Sequence, residues 1–294
     1  MRILLKIAEI IIQNIPRKAG YFVFSLFGFF SYSFNRGRRE TLRYNLKRAA
    51  GADFNENMVK RGFGIYARYY FDLFRKREEL LKHVEPKGDA YFRAATVPAI
   101  NEFLVQKRGC IIISMHCGNW DVAGGYAASL FPGRVNVVVE KLSPVMYGWF
   151  SRTRGRFGMK VIDASDIKSM IRVIKSGEVL ILLGDRDLDR LGYKMDFLGE
   201  KAFIPSGPAK LALMAGAPVF TGICARNKND EYEIKLVPEV LNLENAPRTE
   251  ANLLALTQKI VASMEKMVRA DPSQWCMLQQ IFVNQHDKDK NQLS

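Results

Sequence analysis

From Pro98 onward two hydrophobic rhythms alternate along the chain. Short apolar runs rich in Val, Ile and Leu predict strands at Gly109–Met115, Val135–Glu140, Lys160–Ile162, Val179–Leu183 and Val219–Ala225. Between them, apolar positions recur every three to four residues, predicting helices around Pro98–Gln106, Asn119–Leu130, Pro144–Phe157, Ile167–Lys175 and Gly207–Ala215. Ser206 and Gly216 bracket the last of these as N-cap and C-cap. "EYEIKLVPEV" predicts one more strand, antiparallel to its predecessor across "NKND", and a long amphipathic helix follows at Glu250–Arg269. Strands alternating with helices of this length predict an α/β fold with a mostly parallel central sheet flanked by helices.

The N-terminal part has a different texture. "ILLKIAEIIIQNI" is apolar around most of a helical surface. The uncharged stretch Ala19–Asn35 carries Phe22, Phe24, Phe27, Phe29, Phe30 and Phe34. Arg38–Ala50 and Asn57–Leu81 read as further helices, the second with an aromatic stripe that suits core packing. Residues 1–50 therefore form a basic, hydrophobic helical segment ahead of a domain over 51–294.

Charge sharpens that division. The net charge is +14, and Met1–Arg48 holds ten basic residues against Glu9 and Glu40. Phe-rich apolar segments bracketed by Arg and Lys suit a helix lying in a bilayer interface. A short span, a plain core helix and a signal peptide are the competing readings, the last without a small-x-small cleavage site after it. Nucleic-acid binding would space its aromatics singly among the cations, so a basic nucleic-acid-binding α/β protein is the weaker alternative.

Ligands of parallel sheets bind beyond the carboxyl ends of the strands. That rule selects His116 after the first strand, Glu140 and Lys141 after the second, and Asp185, Arg186 and Asp187 after "VLILLG". A histidine at a strand exit with a carboxylate beside it is a general base in waiting: the acid fixes the tautomer and the free nitrogen takes a proton. His116 and Asp121 can meet only around a corner, because five residues of continuous helix put side chains about 140° apart. Gly118 and Asn119 supply the corner, Asn119 as a helix N-cap. A satisfied structural histidine is the plain alternative. No G-x-S-x-G elbow is present, so a substrate hydroxyl would itself attack an activated carbonyl, or water would in a membrane-bound hydrolase.

Cys110, Cys117, Cys224 and Cys276 form no C-x-x-C pair and are expected as free thiols. The three histidines give no metal-ligand cluster of usual spacing.

"HCGNWD" resembles the H-x4-[D/E] signature of glycerolipid and lysophospholipid acyltransferases. In its H-x-G-N-W-[D/E] form it is similar to the bacterial lipid A biosynthesis (late) acyltransferases and to the enzymes that acylate phosphatidylinositol mannosides. "RRETLRYNL", "RTRGRFG", "GDRDLDRLGYKMDFLGEKAFIPSGPAKLAL" and "DPSQWCMLQQIF" resemble further family blocks, so the likeness runs from about Arg36 to Phe282.

The resemblance implies an O-acyltransferase in which His116 is the base and Asp121 its orienting partner, with Glu140, Asp185 or Asp187 as a further acid near the ring. Asn119, Glu140 and Lys141 would face the substrate. Arg154 and Arg186 would bind phosphate, against surface salt bridges as the alternative. Phe197 and Gly199 would line an acyl groove, against an ordinary turn. The tryptophans Trp120, Trp149 and Trp275 read as core or groove wall. The implied substrates are an acyl thioester of acyl carrier protein or coenzyme A and an anionic, membrane-anchored glycolipid (lipid A precursor-like or phosphatidylinositol mannoside-like), with membrane lipids as partners, no bound cofactor and no nucleic acid. The implied place is the inner membrane, with the catalytic domain on the cytoplasmic side. Asp185-Arg186-Asp187 and "CMLQQ" follow the mannoside branch more than the lipid A branch.

Overall fold

The computed structural model describes residues 2–84, 96–140, 142–187, 189–241 and 247–283. Lys141, expected at the substrate, lies outside the described residues. The helices are α1 (Arg2–Asn14), α2 (Arg17–Phe34), α3 (Arg36–Ala50), α4 (Glu56–Leu73), α5 (Arg77–Leu81), α6 (Val97–Val105), α7 (Trp120–Leu130), α8 (Pro144–Arg156), α9 (Ile167–Lys175), α10 (Gly207–Ala215) and α11 (Glu250–Ala270). The strands are β1 (Cys110–Ser114), β2 (Val135–Val139), β3 (Lys160–Asp163), β4 (Val179–Leu183), β5 (Tyr193–Phe197), β6 (Glu200–Ile204), β7 (Val219–Arg226) and β8 (Tyr232–Leu241).

Six strands form one sheet in the order β3-β2-β4-β1-β7-β8. All neighbours are parallel except β7 and β8. The central strand β1 is buried along its whole length, so its apolar run continues without polar alternation. Its pleat still divides the core: Ile111 and Ile113 pack with α3, α10 and α11, whereas Cys110 and Ile112 pack with α6 and α7.

Two expectations are corrected. Asn57–Leu81 is not one helix, because the chain breaks between α4 and α5 at Phe74–Lys76. There Arg75 turns inward and donates to the carbonyls of Ile12 (2.8 Å) and Gln13 (3.3 Å), supplying a cation to the last turn of α1. The stretch after β4, where the apolar rhythm predicts no strand, holds an antiparallel hairpin of β5 and β6. Its turn is Leu198-Gly199, both with positive φ (54° and 86°), the type I′ geometry that matches strand twist.

In the N-terminal segment, one side of α2 packs on α4 with Tyr21 buried, while Phe22, Phe27, Phe29, Phe30 and Phe34 are more than half exposed. Ile10 and Ile11 of α1 are exposed as well. Among the described residues no helix is long and apolar enough to cross a membrane.

Candidate active site

The site begins with strand register. In the parallel pair β1 and β4, Ser114 stands opposite Leu183, and the Gly184 N–H still donates to the Ser114 carbonyl (3.0 Å). His116 and Asp185 each lie two residues farther on and so leave the sheet side by side. The His116 Nδ1 is 2.8 Å from Asp185 Oδ1, and the His116 backbone N–H donates to Oδ2 (2.9 Å). The Trp275 indole N–H donates to the same Oδ2 (3.0 Å). Asp185 has no solvent exposure. Burial pushes its pKa up, but the facing His116 and the three hydrogen bonds outweigh it and leave it below the ordinary carboxylate value.

The corner between β1 and α7 forms as its residues require. Gly118 has φ +57°, and a Cβ there would sit 2.0 Å from the Cys224 carbonyl oxygen. The next residue, Asn119, caps α7 by accepting from the Val122 N–H (3.1 Å). Its Nδ2 donates to Asp72 Oδ2 (3.0 Å), an acid that also accepts from Tyr21, Tyr232 and Arg226. Asn119 is buried, so its side chain holds the turn and does not face a substrate.

Asp121 is not the carboxylate on the histidine. It starts α7 from a buried position and accepts from Tyr69 Oη (2.6 Å), Arg154 Nε (2.6 Å) and Arg154 Nη2 (3.3 Å). The corner that was expected to bring Asp121 to His116 is present, but helix geometry turns the carboxylate toward α4 and α8. Burial opposes the charge on Arg154, and Asp121 offsets that and holds the guanidinium firmly protonated. Tyr69 stays a donor, since burial and the neighbouring Asp121 raise its pKa well above the usual phenol value.

The ring of His116 lines a cavity of about 310 Å³. With Nδ1 taken by Asp185, Nε2 is the nitrogen left for a substrate. Trp120 packs edge-on against the imidazole at 5.1 Å between centroids, and Tyr66, Phe150, Val138 and Leu182 extend the wall. The polar rim is Glu140, Arg154, Arg186 and Gln279. A cavity of this size, with an apolar wall on one side and a polar rim on the other, can hold part of an amphipathic ligand beside the ring.

Residues 3–284 match the family described as bacterial lipid A biosynthesis acyltransferase. The chain belongs to the bacterial lipid A biosynthesis acyltransferase family. It is 27% identical over 261 residues to the phosphatidylinositol mannoside acyltransferase of Mycolicibacterium smegmatis, covering 86% of this chain and 82% of that protein. It is 26% identical over 257 residues to the Mycobacterium tuberculosis (strain H37Rv) protein of the same name, covering 84% and 78%. It is 25% identical over 188 residues to the lipid A biosynthesis lauroyltransferase of Escherichia coli K12, covering 62% and 59%. The chain is an acyltransferase, as the family is.

The remaining site residues of this acyltransferase fall into two groups. Glu140 and Arg186 are at the cavity rim and pair with each other, Arg186 also donating to Gln279. Arg186 is thus held in a salt bridge, the alternative to phosphate binding, with Glu140 as its partner. Arg154 reaches the cavity with two of its nitrogens already committed to Asp121. Asp187 is elsewhere, accepting from the Gly192 N–H (2.6 Å) where the hairpin begins. Phe197 does not line a groove: it is fully buried against Trp275 and Phe282. Gly199 is its turn, the plain reading of that pair.

Four contributors were not legible as such. Trp275 reads as core from its apolar context, although its place in a segment resembling the family's Pro-x-x-Trp element was a signal. Tyr69 hides in the aromatic stripe of α4. Asp72 and Arg226, far apart in sequence, meet only through the packing of α4 on the sheet edge.

Proposed function

We propose that this acyltransferase moves an acyl chain from a thioester to a hydroxyl of a membrane glycolipid, with His116 as the general base and Asp185 as its positioning partner. One observation carries the reading: an imidazole held at Nδ1 by a buried, ionised carboxylate lines an apolar-walled cavity. The acceptor hydroxyl gives its proton to Nε2 while its oxygen attacks the thioester carbonyl. Asp185 stays ionised and steadies the imidazolium. Collapse of the tetrahedral intermediate breaks the carbon–sulfur bond, and the leaving sulfur takes the proton back from Nε2. These proton transfers call for no bound cofactor.

A glycolipid acceptor is supported by the relatives, two of which are phosphatidylinositol mannoside acyltransferases. The thioester donor, acyl carrier protein or coenzyme A, is the one the family resemblance implies, and its sulfur is a leaving group that the protonated His116 can serve. Each methylene of the chain buried along the cavity contributes about 0.8 kcal/mol, enough for chain-length preference.

The exposed faces of α1 and α2, flanked by Arg17, Lys18, Arg36 and Arg38, would rest in the interface of an anionic bilayer on the cytoplasmic side, where the thioester is made and the acceptor enters from the lipid. Asp121 and Arg154 brace the wall that Trp120 and Phe150 form.

The test is mass spectrometry of reactions containing the protein, a phosphorylated glycolipid acceptor, and acyl carrier protein or coenzyme A thioester in separate arms. An acceptor heavier by one acyl chain is the expected product. Release of free fatty acid with no acylated acceptor would assign the site to hydrolysis instead.

A further inference from the structure

A second recess, about 670 Å³, opens between α2, α4 and the β7–β8 turn, and shares no residue with the cavity at His116. Its walls carry Lys60, Arg61, Arg68, Arg226 and Lys228 against a single acid, Asp230. Three of the cations already have carboxylates: Arg61 has Asp271 (3.5 Å), Arg68 has Asp230 (2.6 Å) and Arg226 has Asp72 (2.7 Å). Lys60 and Lys228 have no ion-pair partner among the described residues, and both are exposed. Under them, Arg226 is 4% exposed, and its Nε N–H is buried without an acceptor. The recess thus holds uncompensated positive charge and a spare guanidinium donor.

The other part of its wall is apolar. Phe29, which is 58% exposed, and Tyr32 of α2 border it, and the exposed phenylalanines of α2 continue from there. Ser25 of α2 accepts from Arg68 Nε (2.9 Å), which fixes the apolar helix against the cationic wall. A free phosphate would answer the charge and leave that apolar border bare.

We propose that this recess seats the phosphodiester headgroup of an anionic glycerophospholipid, whose acyl chains lie along the Phe face of α2. The inference rests on the reading that α2 lies in the bilayer interface. It adds a specific phosphate seat to what would otherwise be diffuse attraction. The seat also touches the turn after His116: Arg226 binds Asp72, and Asp72 accepts from Asn119, the cap of α7.

The experiment is flotation of the full chain with phosphatidylcholine vesicles and with the same vesicles containing phosphatidylglycerol. Lys60→Gln/Lys228→Gln is compared with Lys168→Gln/Lys175→Gln, a control on α9 that removes the same charge from exposed positions. The first double variant is expected to lose about 30-fold of the affinity for phosphatidylglycerol vesicles while keeping the binding to neutral ones; the control keeps both. Equal behaviour of the two variants would show that only diffuse charge acts, and overturns the seat. Displacement by inorganic phosphate at matched ionic strength would make it a free-anion site, and overturns the lipid assignment. If the unaltered chain binds no vesicle of either kind, the interfacial reading itself fails, and the seat with it.

Discussion

The imidazole of His116 and the carboxylate of Asp185 leave neighbouring parallel strands at matched register and meet at 2.8 Å, with Trp275 closing the far side of the carboxylate. Two N–H donors, from the His116 backbone and the Trp275 indole, converge on Oδ2, which leaves Oδ1 for the ring.

That arrangement makes Asp185→Asn a specific test. The two N–H donors claim the amide oxygen, so the new NH2 faces Nδ1 and favours the tautomer protonated at Nε2, which cannot accept a proton. Acyl transfer is expected to fall by roughly 10²- to 10⁴-fold with the fold retained. Nitrogen-15 NMR of the His116 ring should show the proton moved from Nδ1 to Nε2. An unchanged tautomer with lost activity would assign Asp185 another role.

Trp275→Phe keeps the ring volume and removes one donor from Asp185. A carboxylate held below its unfolded value of about 3.9 contributes stability that is present above that pH and is lost as pH falls through the folded value. Removing the indole donor moves the folded value up toward 3.9, so the contribution shrinks and its loss starts at higher pH. Urea melts of both proteins between pH 3 and pH 7 should converge at the acid end and differ above it, in a range set by about 1.5–3 kcal/mol for a hydrogen bond to a charged group.

Arg154→Ala leaves Asp121 buried with only Tyr69 as partner. The expected cost is about 3–5 kcal/mol, read from denaturant midpoints, because an uncompensated charge remains inside. Asp121→Asn/Arg154→Gln together should recover part of that stability. If either single change left stability untouched and abolished only turnover, Asp121 would belong to the chemistry.

At Gly118 an added methyl meets the Cys224 carbonyl and the residue sits at positive φ. Gly118→Ala is expected to displace the His116 turn and lower both yield of folded protein and activity, whereas Gly133→Ala, also at positive φ but with open space around it, should retain activity. Thermal melts of the two variants side by side separate backbone strain from collision.

Most of the framework is readable from apolar rhythm because a parallel sheet buries both faces of its strands and gives short, unbroken runs such as Cys110–Ile113. His116 and its exit from β1 follow from the same rhythm, as do Glu140 and Asp185. The partner of His116 does not. Asp121 is close in sequence and Asp185 is 69 residues away, and only strand order, β4 beside β1, decides between them. The β5–β6 hairpin was hidden because its strands are short, charged and joined by Leu-Gly where Asn-Gly is the familiar signal. Phe197 was misplaced for the same reason, since its burial depends on that hairpin folding back onto Trp275.

In the proposed reaction the proton of the acceptor hydroxyl leaves to His116. This transfer is tested most directly by measuring ester product from thioester and glycolipid with His116→Ala, alongside circular dichroism and vesicle binding of the same protein. Loss of product by at least roughly 10³-fold is expected, with fold and vesicle binding unchanged. Product formed within about tenfold of the unaltered enzyme would contradict it.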